Sequence, residues 1–380
     1  MPHQNSVFHT MLNLLPWDEV ERLRTAHGID RSERGFTVKT HLAALLYGQL
    51  TGAASVREIV TGLESHAAQA YHLGIGRVRR STLADANAHR PRAFFADLLT
   101  LMMQRAHRGL RRQFDGITYL IDATPLALTA RSARWAQFSS TVCGAKAHII
   151  YDPDADQPVY AAVSAATVND ITAAKAMPIV AGATYVFDLG YYDYGWWAKL
   201  DAAECRIVTR LKKNTPVRVS ETRAVPAGGN ILSDRVGYLP ARRANSRKNP
   251  FHKPVREIQV QIETGKVLRI VTNDLTASAQ DIADLYKRRW AIELFFRWIK
   301  QTLKITRFLG VSENAVCIQV AVALIAFILL RLAQALQTAV TSPLAFARLV
   351  RANLMHRRDI QALLPPCRTA PSDAHQLACP

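Results

Sequence analysis

The stretch Tyr286-Lys-Arg-Arg-Trp-Ala-Ile-Glu-Leu-Phe-Phe-Arg-Trp-Ile-Lys300 decides how the rest of the chain is read. On a helix turning about 100° per residue, Tyr286, Arg289, Glu293, Arg297 and Lys300 share one arc of roughly 80°. Leu285, Ile292, Phe295, Phe296, Ile299 and Leu303 fall on another side, as a core-facing stripe does. The pattern predicts a helix with one buried apolar face and a narrow polar face, where one carboxylate sits among cations. Such a carboxylate stays ionised at neutral pH. It suits a metal ligand working beside phosphate-binding cations. A surface helix with salt bridges at i+3 and i+4 spacing would show the same pattern.

The chain has 380 residues, and about half of them are hydrophobic, enough to bury a sizeable core in two or three units. Lys and Arg total 48 against 30 Asp and Glu, a net charge of +18 that attracts a polyanion. The most apolar run, Ala315 to Leu330, carries Gln319 and falls short of the roughly 20 residues of a membrane span, so a buried helix and no membrane are expected. No charged-then-apolar leader opens the sequence, which leaves no sign of secretion. Five cysteines (Cys143, Cys205, Cys317, Cys367, Cys379) show no CxxC spacing, which suits a reducing cytoplasm and gives no zinc site. Nucleic acid is left as the expected partner.

Residues 1–110 read as an all-α N-terminal domain. Ser55-Val-Arg-Glu58 matches a capping box, and Gly74-Ile-Gly76 breaks the helical pattern. A helix restarts with Ser81 as its expected cap, and Arg79, Arg80, Ser81, Thr82 and Asn87 lie on it. Helix, glycine turn and basic helix together resemble a helix-turn-helix reader of DNA, although an ordinary bundle with a basic edge reads the same way. Arg105, His107, Arg108, Arg111 and Arg112 form a basic run leading out of this part.

After Gly116 the period changes. Ile117–Ile121 reads as a strand ending at Asp122, followed by strands at Lys146–Tyr151 and Val159–Ser164 around a turn rich in Asp and Pro. A helix over Asp170–Val180, a strand Tyr185–Phe187 running into Asp188, a helix over Tyr194–Ala203 and a strand Arg206–Leu211 complete a mixed sheet flanked by helices. Residues 214–271 alternate Val, Ile and Arg among turn residues and read as a separate β-rich insertion between the second aspartate and the glutamate helix. Arg242, Arg243, Arg247, Lys248, His252 and Lys253 form a basic loop inside it. The core is thus expected over 111–213 and 272–335, with a C-terminal helix and disordered tail over 336–380.

Two aspartates, Asp122 and Asp188, follow apolar strands, and neighbouring strands in a sheet bring such side chains together. Glu293 offers a third carboxylate. Three converging carboxylates suit two hard divalent ions, and such a pair serves phosphoryl transfer. Asp115 and Asp193 are the rivals for the aspartate positions. There is no GxxxxGK[ST], GxSxG, HExxH or CxxC to support another catalytic class.

The spacing Tyr-x2-Arg-x3-Glu-x6-Lys, met by Tyr286, Arg289, Glu293 and Lys300, resembles the IS4 family of DDE transposases. Leu120-Ile-Asp122-Ala-Thr, Asp188-Leu-Gly-Tyr191, Lys146-Ala-His148, Thr209-Arg-Leu-Lys-Lys-Asn214 and Val271-Thr-Asn273 resemble it too. The resemblance implies an RNase H-like α/β fold. Asp122, Asp188 and Glu293 would be catalytic ligands of two Mg2+ ions, for which Mn2+ could substitute. Tyr286, Arg289 and Lys300 would contact double-stranded DNA at the element's terminal repeats, with Arg297 assisting and Trp290 placed to stack. Further implications are a homodimer joining paired ends, strand cleavage and transfer into target DNA, and work in a bacterial cytoplasm at the nucleoid. The alternatives are an RNase H-like nuclease without strand transfer and a non-catalytic DNA-binding derivative. The tryptophan that the family uses to hold a flipped base has no counterpart, because residues 214–271 contain no Trp.

Overall fold

The computed structural model describes residues 5–30, 35–110, 116–225, 228–242, 248–303, 305 and 307–363. Asp115, Arg111, Arg112, Arg243, Arg247, Cys367, Cys379 and the tail beyond residue 363 lie outside the described residues.

Seven helices come first: α1 (Val7–Asn13), α2 (Trp17–Ala26), α3 (Val38–Thr51), α4 (Val56–Ser65), α5 (Ala67–His72), α6 (Arg80–His89) and α7 (Arg92–Leu110). Then follow β1 (Thr118–Leu128), α8 (Ala133–Ala136), β2 (Cys143–Asp152), β3 (Gln157–Ala165), α9 (Asp170–Ala174), β4 (Thr184–Phe187), α10 (Tyr194–Ala202) and β5 (Arg206–Arg210). The second half holds β6 (Arg218–Arg223), β7 (Ile231–Tyr238), β8 (Val255–Gln261) and β9 (Val267–Thr272). It ends with α11 (Ala279–Arg288), α12 (Trp290–Thr302), α13 (Glu313–Ala335) and α14 (Pro343–Asn353).

All nine of these strands form one mixed sheet, in the order β3-β2-β1-β4-β5-β9-β8-β7-β6. β1, β4 and β5 run parallel, and the other neighbours are antiparallel. Strand alternation sorts the side chains. Leu120 and Val186 join the cluster shared with the N-terminal helices and α11–α14, whereas Tyr119, Ile121, Tyr185 and Phe187 face the cluster around α10. The sheet is therefore covered on both faces, as α/β architectures require.

Three expectations change here. First, residues 214–271 are not detached from the core sheet, because β9 pairs antiparallel with β5 and carries β8, β7 and β6 on its outer side. Sequence alternation marks strands but does not say which edge they join. Second, the apolar run is longer than its most hydrophobic segment suggested. α13 spans 23 residues, long and apolar enough to cross a membrane, yet 83% of its most apolar window is buried inside the fold. Its packing against α3, α6, α7 and α14, rather than its length, makes it a core helix. Third, Tyr286–Lys300 is two helices. Ser278 and Asp281 build a reciprocal capping box that starts α11, and the chain breaks at Arg289 before α12. There Arg289 N–H donates to Tyr286 O at 3.1 Å and Ile292 N–H to Arg289 O at 3.2 Å, three residues apart instead of four.

The N-terminal part also differs in detail. Ser55 caps α4 by accepting from Glu58 N–H at 3.2 Å, while the Glu58 carboxylate accepts from Ala54 N–H and not from Ser55 N–H. α6 starts at Arg80 behind Arg79, which makes no side-chain cap, so Ser81 is exposed inside the first turn. Asn87 is buried, its Oδ1 2.8 Å from His41 Nε2, and is thus a core residue and not a reader of bases. Burial and nearby Arg90 push the His41 pKa down to about 3, so its ring is neutral and donates to Asn87. Within the basic loop, Lys253 is paired with Asp201 at 2.7 Å.

Candidate active site

The site begins with a change in strand pairing. β4 follows β1 in parallel only to the pair Ile121↔Phe187, while β1 continues against β2 as far as Leu128↔Cys143. Asp122 is therefore not at the end of its own strand, as the apolar run suggested. It stands where its neighbour ends. Asp188 is the residue after that neighbour's last, so the register sets the two carboxylates side by side at a crevice beyond the carboxyl end of β4. Open α/β sheets bind ligands at such crevices.

Local turns fix both side chains. Asp122 Oδ1 accepts from Ala123 N–H at 2.8 Å, and Asp188 Oδ1 accepts from Gly190 N–H at 2.7 Å as it caps the turn Leu189–Tyr191. Gly190 leaves a tight space between two carboxylates. A Cβ there would lie 3.0 Å from Asp188 Oδ1 and 3.3 Å from Asp170 Oδ2. The rival Asp193 is spent elsewhere, since it caps α10 through Trp196 N–H at 2.8 Å and pairs with Lys175 at 3.1 Å.

The α11–α12 break delivers the third carboxylate. Arg289 Nη2 lies 2.5 Å from Glu293 Oε1, and its Nη1 lies 3.4 Å from Asp122 Oδ2. One guanidinium thus spans carboxylates from β1 and α12. Burial, opposed by the Ala123 hydrogen bond and aided by Asp188, pushes the Asp122 pKa up to about 6. Arg289 lowers it and Glu293 raises it, so the three carboxylates and this cation form one electrostatic unit. Among the described residues no three His, Cys, Asp or Glu side chains are close enough to hold one metal ion. The donor chemistry nevertheless suits a hard divalent cation, since every candidate ligand is a carboxylate oxygen and a cationic group already stands between two of them.

The motif residues separate by exposure. Tyr286 is 7% exposed, with the Arg289 guanidinium over its ring at 5.9 Å and its pKa raised by burial. Lys300 is half-buried, and burial lowers its pKa. Arg297 is exposed, and Trp290 is 52% exposed, on the outward side of the helix that carries Glu293. Arg79 and Arg80 are exposed at the start of α6, in the helical part. The structure thus gathers Asp122, Asp188, Glu293, Arg289 and Tyr286, sets Lys300, Arg297 and Trp290 along α12, and leaves Arg79 and Arg80 on another element.

Sequence reasoning missed several residues of the site. Arg210 ends β5 close enough to Tyr286 to lower its pKa. Its position two residues after core-facing Val208 was the available signal. Asp170 sits across Gly190 from Asp188 and binds Lys146 Nζ at 2.9 Å. Tyr191 is buried with no partner for its hydroxyl, and burial together with Asp122, Asp170 and Asp188 pushes its pKa up strongly. Nothing in the local sequence linked Asp170 to the other three.

Residues 113–329 match the transposase DDE domain family, which is more than half of the chain. The chain belongs to the DDE transposase family. Residues 3–76 match a second family, described as a domain of unknown function. A Sinorhizobium fredii protein named as transposase y4zB is 40% identical over 294 residues, covering 76% of this transposase and 81% of that protein. A Geobacillus stearothermophilus protein named as the transposase for insertion sequence element IS5377 is 27% identical over 326 residues, covering 84% and 83%. A shorter match, 42% over 55 residues, is to a Synechocystis protein named as the transposase for insertion sequence element IS4SA. It covers 14% of this chain and 16% of that one. Among solved structures, the piggyBac transposase synaptic complex with hairpin DNA aligns over 93% of this chain and 83% of that one, at 13% identity and a TM-score of 0.44. The protein is an insertion-sequence transposase, a polynucleotidyl transferase that binds DNA and depends on a divalent metal.

Proposed function

We propose that Asp122, Asp188 and Glu293 are the catalytic carboxylates and hold two Mg2+ ions, Mn2+ being able to replace them. The observation that supports this most is the convergence of Asp122 and Glu293 on one guanidinium beside the β1–β4 crevice. When bound, the ions would activate the attacking oxygen and stabilise the leaving one, first in strand cleavage and then as the freed 3′-hydroxyl attacks a target phosphate and displaces the target's 3′-oxygen. The chain itself supplies positioning. Lys300 and Arg297 extend from Glu293 along α12 toward solvent, placed to hold phosphates on either side of the scissile bond. Trp290, exposed one turn before Glu293, offers a face on which a base can stack. Tyr286 is buried beneath the Arg289 guanidinium and would act through it, Arg289 being the one of the two that would meet a phosphate.

Residues 1–110 would bind the element's terminal repeats, with Arg79 and Arg80 at the start of α6 as the exposed contacts. The core would comprise 111–213 and 272–335, with 214–271 as its β extension and 336–380 as its C-terminal part. A homodimer on paired ends and a cytoplasmic, nucleoid-bound location belong to the same reading, which the net charge of +18 supports. Incubation of the protein with Mg2+ and a duplex carrying the element end tests it. Nicks followed by joined products are expected. Nicks alone mean a nuclease without strand transfer, and binding without either means a non-catalytic derivative.

A further inference from the structure

We propose that Arg289 is a positioning residue that acts as the exchangeable counter-ion of the carboxylate site. In the metal-free protein its guanidinium holds Asp122 and Glu293 in place, and it leaves them for a DNA phosphate as divalent cations enter. This rests on the assignment of Asp122, Asp188 and Glu293 as metal ligands.

The guanidinium uses the oxygens that a cation needs. Nη2 takes Glu293 Oε1 at 2.5 Å and Nη1 faces Asp122 Oδ2 at 3.4 Å. A divalent cation would draw on the same two carboxylates, and a guanidinium already beside them lowers the negative potential that attracts it. Loading therefore sets one cation in competition with another for the same negative charge. Without Arg289 the carboxylates would repel one another and stay hydrated. With it they are paired, and their charge is already partly balanced.

Where Arg289 can go decides what drives the exchange. It is the junction residue between α11 and α12, its side chain is only 16% exposed, and its Nε is buried with no partner. A buried guanidinium that lost both carboxylates would be left uncompensated, which is strongly unfavourable. A phosphate accepts two parallel N–H bonds from such a fork and removes that penalty. A metal-free, DNA-free protein should then bind metal weakly, and DNA should strengthen metal binding by the factor by which metal strengthens DNA binding. Arg289 thereby keeps the site from being charged before a strand is in place.

The test is a titration of the full-length protein with Mn2+, reading free Mn2+ by electron paramagnetic resonance without DNA. A parallel titration with Ca2+ by calorimetry covers the same variants. Arg289→Gln should tighten DNA-free Mn2+ binding by about tenfold, within the usual range of coupling between sites. Arg289→Lys keeps the charge but lacks the fork, so it should tighten binding by less, and it stands in if the Gln variant fails to fold by circular dichroism. Equal or weaker Mn2+ binding by the folded variants overturns the inference. Glu293→Gln serves as the separate control. If it leaves Mn2+ binding unchanged in both the parent and the Arg289→Gln background, the metal-ligand assignment itself fails. If it abolishes binding while Arg289→Gln brings no gain, only the exchange role fails.

Discussion

Arg289 Nη1 lies 3.4 Å from Asp122 Oδ2, a contact between residues 167 positions apart in the chain. It joins the middle of β1 to the break between two helices. Together with the packing of Phe295 on Tyr151, it holds the motif on α12 at the crevice where β4 stops.

Glu293→Gln should reduce cleavage by about a hundredfold to a thousandfold, the order of loss seen when one catalytic group acting at developing charge is removed. Binding to an end duplex should change little, because the amide is nearly isosteric. Gel-resolved cleavage beside a fluorescence anisotropy titration reads both. Retained cleavage removes Glu293 from the site.

Asp122 carries the pH dependence. Its pKa is raised to about 6, chiefly by burial, so in the metal-free protein it is protonated below that pH and ionised above it. Metal must displace that proton. Metal affinity should be nearly flat above about pH 7 and fall about tenfold per unit below about pH 6. Mn2+ titrations from roughly pH 5 to roughly pH 8, a range that brackets the midpoint, read this directly. Affinity that stayed level down to the acid end would contradict it.

Lys300→Ala and Arg297→Ala should each weaken DNA binding and lower the slope of log K against log salt by about one. Trp290→Ala should weaken binding without altering that slope, since stacking releases no counterion. A Trp290 variant with a changed salt slope would mean a backbone contact instead.

On α6 the two kinds of residue should part. Arg79→Ala with Arg80→Ala should reduce discrimination between end and random duplexes while leaving the melting temperature almost unchanged. Asn87→Ala should instead destabilise the fold by roughly 1–3 kcal/mol, because His41 Nε2 loses its buried partner. Loss of end preference at full stability in the Asn87 variant would reverse this assignment.

Removal of residues 1–110 should yield an aggregated protein, not a free-standing core. α13 packs on α3, α6 and α7, and its buried apolar surface would meet water without them. A monodisperse fragment with native-like circular dichroism would show that α13 can be covered from elsewhere.

Much of the fold was legible because it follows from short-range pattern. Short apolar runs marked the positions of β1 to β5, though not the full length of β1, and the motif spacing marked Glu293 and its cations. Legibility stopped where a property depends on a neighbour remote in sequence. Asn87 carries the same polar side chain whether it faces DNA or His41. Tyr286 fits a polar arc on an unbroken helix, but the break at Arg289 turns it into the core. Asp170 and Tyr191 belong to the surroundings of Asp188 only because β4 ends beside β1 and Gly190 leaves room.

By itself the sequence determined which residues are available for chemistry and the spacing that ties them to a DDE transposase. Charge, periodicity and motif spacing are written directly along the chain. The tertiary structure alone decided that β6–β9 extend the core sheet, that α13 is buried by the N-terminal helices, and that Arg289 stands between Asp122 and Glu293. Those facts depend on strand register and helix packing, which are set by the whole set of long-range contacts at once and leave no mark on any one segment.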